Sequence, residues 1–259
     1  MRFGYADTAD GQVHWRSLGE RSDQPDLWLL HPAPFTGHFF EQVMPHLAVN
    51  RRVIAPDYPG YGGSFSPSST PSIGTYATAL LEAAGKPRQP IDVLGFHTGC
   101  LVAAEMALLD APNVGRLMLI DVPAFSKEQQ ESIRNSMDDP APLSTDIGSV
   151  TGLWQQAVIK RAETDGIDAA VALFADALRH GNRWMAAFDA AFRYPVDERF
   201  AELRATVHVV ATQSGLLDAS RRAAKLIPSA TLTERLDIER SVMHESAEQI
   251  GPAVLNLLD

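Results

Sequence analysis

The chain has 259 residues, 45% hydrophobic and 21% charged, a balance that excludes a disordered or low-complexity protein. Its net charge of −10 works against unassisted binding to nucleic acid or an anionic membrane, and no apolar run reaches the ~18 residues of a membrane span. The opening Met1-Arg2-Phe3-Gly4-Tyr5-Ala6-Asp7 lacks the apolar core of a signal peptide, and the single Cys100 cannot form an internal disulfide, so a cytoplasmic location is expected.

In chain order, residues 3–18 hold two short alternating runs separated by Ala9-Asp10-Gly11. Asp-Gly between such runs predicts a β-hairpin. Apolar runs at 27–30, 52–56, 91–95, 116–120 and 207–211 predict buried parallel strands. Helical patterns at 76–84, 101–109 and 218–226 fall between them. This alternation predicts an α/β fold: a doubly wound, mostly parallel sheet with right-handed crossovers. The stretch 122–203 breaks the alternation, opening with a Ser/Asp/Pro-rich segment at 136–142 and continuing helical over 153–163, 167–179 and 184–192. An all-helical lid over the carboxyl edge of the sheet is therefore expected at 122–203, with the core formed by 1–121 and 204–259. The lid aromatics Trp154, Phe174, Trp184, Phe188, Phe192 and Tyr194 serve either as pocket wall or as packing between lid and body.

Three motifs then carry a resemblance. Leu29-Leu30-His31-Pro32-Ala33-Pro34 resembles the strand-end H-G-x-P of α/β-hydrolases, and its continuation through Val43-Met44-Pro45-His46-Leu47 is similar to haloalkane dehalogenases and epoxide hydrolases. Val53-Ile54-Ala55-Pro56-Asp57-Tyr58-Pro59-Gly60-Tyr61-Gly62-Gly63-Ser64 resembles the next strand of that superfamily and its glycine-rich turn. Leu94-Gly95-Phe96-His97-Thr98-Gly99-Cys100 sits where the family carries G-x-S-x-G. The resemblance covers the first half of the chain continuously, with His244 fitting the remainder. It implies an α/β-hydrolase fold, no cofactor and no metal, and a nucleophile elbow at the position that His97 occupies in this chain; the lid expected from the helical stretch fits such a fold. The elbow needs small neighbours two residues either side of the reacting position, and Gly95 and Gly99 supply them. The N–H of Thr98, opening the next helix, is the first expected oxyanion donor, and Ala33 or Phe35 the second. Pro32 replaces the family's glycine, leaving that loop fewer free N–H groups.

His97 departs from the usual serine, cysteine or aspartate. Three roles are open to it: nucleophile toward an acyl carbon, general base, or a replacement that silences a binding protein. Val242-Met243-His244-Glu245 precedes an amphipathic C-terminal helix as the family's catalytic histidine does, making His244 the acid/base partner. No carboxylate stands between Ala211 and Leu217, where the family's acid commonly lies, so Asp121 after the fourth buried strand is preferred to Asp218 as the orienter of His244. Phe35, His38, Trp154, Trp184 and Phe188 are expected in the substrate pocket. His31 resembles a structural histidine before the oxyanion loop, and Cys100 a buried inert thiol. The leading expectation is hydrolysis of a small to medium, mostly apolar ester or lactone, by a monomer or homodimer whose partner is a small-molecule substrate. The alternatives are a cofactor-free lyase, isomerase or carbon–carbon cleaving enzyme, a non-catalytic ligand-binding protein, and a metal held by His97, His244 and Asp121.

Overall fold

The alternating runs form a hairpin, β1 (Arg2–Thr8) and β2 (Gly11–Leu18), with Thr8 opposite Gly11. The computed structural model describes residues 1–136, 145–239 and 241–259. Within them, the hairpin is joined by β3 (Leu27–Leu30), β4 (Val53–Pro56), β5 (Ile91–Phe96), β6 (Val114–Ile120), β7 (Val207–Thr212) and β8 (Ala230–Arg235). The described residues form one eight-stranded sheet in the order β1-β2-β4-β3-β5-β6-β7-β8. It is antiparallel through β1, β2 and β4 and parallel from β4 to β8. Every residue of β3, β4 and β5 is buried, as parallel strands covered on both faces require. Their side chains alternate between two cores, Leu27 and Leu29 in one and Trp28 and Leu30 in the other. β8 has no fully buried residue, and its Thr-, Glu- and Arg-bearing sequence carried no apolar run to announce it.

Helices cover both faces. The short α1 (Met44–Leu47) lies on the Leu27 face, while α2 (Ile73–Ala84) and α3 (Thr98–Leu109) pack on the other. α2 opens on a capping box: the Ser72 hydroxyl accepts the Thr75 N–H and the Thr75 hydroxyl accepts the Ser72 N–H, both at 3.1 Å. α3 is buried from Thr98 to Ala107, so it reads in sequence as a continuous apolar run without a polar stripe.

Between β6 and β7 comes a helical insertion: α4 (Lys127–Ser136), α5 (Ile147–Trp154), a π-helical turn Gln155–Ile159, α6 (Lys160–Asp165), α7 (Ile167–Leu178), α8 (Ala186–Phe192) and α9 (Val196–Glu202). No strand interrupts it among the described residues. Beyond Ser136, the Ser/Asp/Pro-rich segment lies outside those residues. α4 escaped the sequence reading because one buried residue, Gln130, gives no apolar stripe to detect. The insertion is tied to the body at its far end by Glu105 of α3, which accepts the Tyr194 hydroxyl at 2.8 Å and the Arg199 guanidinium at 3.0 and 2.9 Å. The chain closes with α10 (Leu217–Leu226) on the α2–α3 face and α11 (Ala247–Leu258) against α1.

Candidate active site

β5 ends at Phe96 and α3 begins at Thr98, so His97 alone turns the chain, at φ 51° and ψ −117°. Positive φ is unfavourable for a residue with a Cβ, and it persists because the surroundings fix it. The His97 N–H donates to the Ile120 carbonyl at 3.2 Å, continuing the β5–β6 ladder into the turn. A Cβ on Gly95 would stand 2.4 Å from the Gly99 carbonyl oxygen, and one on Gly99 only 1.9 Å from that of Leu30. Both glycines are therefore required by close backbone approach, as their spacing predicted. Thr98 is the first residue of α3, so its N–H has no intrahelical acceptor. One strand over, Asp121 follows β6 with the same kind of backbone, φ 50°, and its N–H donates to the Val210 carbonyl at 3.0 Å.

The carboxylate expected to orient His244 makes its hydrogen bonds elsewhere. Asp121 is fully buried, and its two oxygens accept from the Thr212 N–H at 2.8 Å and the Thr212 hydroxyl at 2.6 Å. Neither ring nitrogen of His244 has a hydrogen-bond partner among the described residues. The expected Asp121–His244 bond is thus not made; the donors that the carboxylate meets come from the end of β7. Asp218 offers no replacement: its side chain is 94% exposed and paired with Arg221 at 3.1 Å. A chain of ring contacts runs between the two imidazoles. His97 lies 4.1 Å from Phe96, Phe96 5.6 Å from Phe39, and Phe39 meets His244 edge-on at 5.0 Å.

Burial pushes His97 down to about 4, with Asp121 opposing and Arg161 reinforcing the shift, so the ring is neutral at physiological pH. Burial also lowers His244; Asp165 opposes it, while Arg161 and His38 add to it. Arg161, on α6, therefore acts on both histidines. Its guanidinium lies 5.4 Å from the centre of the Phe35 ring and bonds Asp165 at 3.1 Å. Sequence reasoning missed Arg161 and Asp165; their only signal was an i,i+4 pair on a lid helix, which is ordinarily a solvated face.

His97 and Thr98 open onto a cavity of about 440 Å³ walled by Pro123, Phe125, Ile133, Phe188, Phe192 and Leu216. Phe188 is shared with a second apolar cavity of about 200 Å³, whose walls include Phe35 and Trp184. A neutral nucleophile or base, a helix N-terminus and an apolar chamber suit attack on an uncharged carbonyl carbon. Residues 29–249 match the alpha/beta hydrolase family.

The chain belongs to that family. Its pimeloyl-[acyl-carrier protein] methyl ester esterase relative from Aromatoleum aromaticum is 32% identical over 133 residues, 50% of this chain and 48% of that one. The chain thus spans about half the length of the curated relatives it matches. Among solved structures, the enol-lactonase from Burkholderia xenovorans superposes with a TM-score of 0.78 at 16% identity, covering 98% of this chain and 99% of that one. An esterase from Rhodococcus sp. ECU1013 does so with 0.78 at 22% identity, covering 100% and 98%.

In this α/β hydrolase the remaining expected residues divide. Trp154 packs edge-on against Phe174 at 5.5 Å, 38% exposed at the end of α5, and lines neither cavity. His38 also lies outside both walls, 3.7 Å from Glu41. The Phe35 N–H is bound to the Pro32 carbonyl at 3.0 Å, which leaves Ala33 as the loop's candidate donor. His31 is structural: its Nε2 accepts the Tyr58 N–H at 3.1 Å, and burial pushes its pKa down to about 4. The Cys100 thiol is buried and donates to the Gly95 and Ile120 carbonyls at 3.1 and 3.3 Å. Among the described residues, no group of three or more His, Cys, Asp or Glu is arranged to hold a metal, so the alternative of a His97–His244–Asp121 metal face finds no support there. Nor is any helix among them long and apolar enough to cross a membrane.

Proposed function

We propose that this α/β hydrolase cleaves small to medium, mostly apolar esters or lactones, with neutral His97 as the nucleophile. The observation that carries the reading is the imidazole at the strand–helix turn, kept neutral by burial and opening with Thr98 onto the apolar cavity. An imidazole with a conjugate acid near 4 is a weak proton acceptor, yet its lone pair is fully available for attack. The ring nitrogen bonds the acyl carbon and the carbonyl π pair moves to oxygen. There the N–H groups of Thr98 and Ala33 and the dipole of α3 stabilise the charge. Collapse expels the alkoxide, which takes the proton released by the second ring nitrogen, with His244 as acid/base partner. Water then cleaves the acyl-imidazole, returning the acid and neutral His97. Asp121, held by Thr212 beside His97, offsets the positive charge the ring carries between attack and proton loss. The names of the relatives, a methyl ester esterase, an enol-lactonase and an esterase, support a carbonyl substrate.

The test is a panel of p-nitrophenyl esters and small lactones assayed on wild type, His97→Ala and His97→Ser. Wild type should turn over at least one class, and His97→Ala should lose at least about 10²-fold in kcat. An inactive wild type beside an active His97→Ser would mean that histidine silences a competent scaffold, and the reading would fail.

A further inference from the structure

Each of the two site histidines has a different carboxylate beside it. Asp121 is committed to Thr212 and acts on His97. Asp165, the last residue of α6, is a carboxylate that acts on His244, and it comes from the helical insertion rather than the sheet. Its side chain is 1% exposed, between the Arg161 guanidinium and the hydroxyl of Ser241, which it accepts in a short hydrogen bond. The Ser241 hydroxyl is also 3.1 Å from that of Thr164. Ser241 begins the turn that carries His244: it sits at φ 47°, and its carbonyl accepts the N–H of His244 at 2.9 Å and of Ser246 at 3.2 Å. Asp165 thus grips the residue whose backbone fixes the position of His244. A carboxylate in that place also stabilises an imidazolium at 244, which His244 becomes when it carries a proton.

From this geometry we infer that Asp165 is the positioning carboxylate of His244, so that the lid completes the acid/base unit. The proposal rests on the hydrolase reading for its catalytic meaning. The contact itself links positions 76 residues apart in the chain, and folding of the lid creates it.

The experiment follows the ring nitrogens of ¹⁵N-histidine-labelled protein by NMR, with His244 assigned by loss of its signals in His244→Gln. In Asp165→Asn the midpoint of His244 should fall by about one pH unit, the sign expected when the opposing charge is removed. In Asp165→Glu, which keeps the charge, it should stay near the wild-type value. On an ester that wild type hydrolyses, Asp165→Asn should lower kcat by about 10²-fold with KM changed less than about threefold. Asp168→Asn, an exposed lid carboxylate, should change neither. Should Asp165→Asn not fold, Ser241→Ala keeps the charge but loses the grip, and kcat should fall by about tenfold at constant KM; an unchanged kcat overturns the proposal. An unmoved His244 midpoint in folded Asp165→Asn, or a midpoint moved instead by Asp121→Asn, also overturns it. Wild type without ester or lactone turnover would defeat the hydrolase reading, while the titration still decides the role of Asp165.

Discussion

At position 97 a side chain occupies backbone that costs about 1–3 kcal/mol outside glycine, and the reactive group is held neutral in the same place. The neutral form must do the chemistry, and burial pushes the titration to about 4, so the acid limb of kcat/KM should lie near there. Activity should be nearly flat between pH 5.5 and 8, and a profile rising through an ordinary imidazole titration would mean that another group controls the rate. Position 99 has no such latitude. Gly99→Ala puts a methyl 1.9 Å from the backbone oxygen of Leu30, a clash with β3 that no rotamer relieves. We expect a loss of about 3 kcal/mol or more, read as a shift of the urea midpoint or as failure to fold.

The elements differ in how far the sequence announced them. β3 to β7 were legible because burial on both faces demands unbroken apolar runs, and the elbow because its two glycines fall at fixed local spacing around His97, although the oxygen that requires Gly99 belongs to the distant Leu30. β8 and α4 were not, since an edge strand and a polar helix leave too weak a pattern. The carboxylates escaped for another reason. Thr212 is 91 residues from Asp121, and Ser241 is 76 from Asp165, so no local spacing records which acid meets which partner. The lid's return to the body has a checkable energy. Glu105→Ala removes the shared acceptor of Tyr194 and Arg199, leaving the buried phenol unpaired and the guanidinium with only Glu202. That should cost about 2 kcal/mol in a denaturant melt, and a loss near zero would show that the Glu105 contacts do not anchor α9.

On the scale of the whole molecule, stability should decline in mild acid. His31 is fully buried and neutral, with Nε2 accepting the Tyr58 N–H, and its folded pKa of about 4 lies below the unfolded 6.5. Between those values the unfolded chain binds the proton and the native one does not, so this contribution is complete above 6.5 and lost as pH falls toward 4. The effect is of order 3 kcal/mol for His31, and His97 adds a term of the same sign. Urea midpoints at pH 7, 5.5 and 4.5 should fall in that order, and His31→Asn should flatten the trend if the variant folds. The single thiol of the chain gives a way to watch the centre open. Cys100 is sealed beneath the elbow, against carbonyls at the ends of β5 and β6, so a thiol reagent reaches it only when that junction comes apart. The native protein is in effect supplied with one internal clock: its labelling rate times the opening of its own reactive turn, with no dye or engineered residue needed to read it.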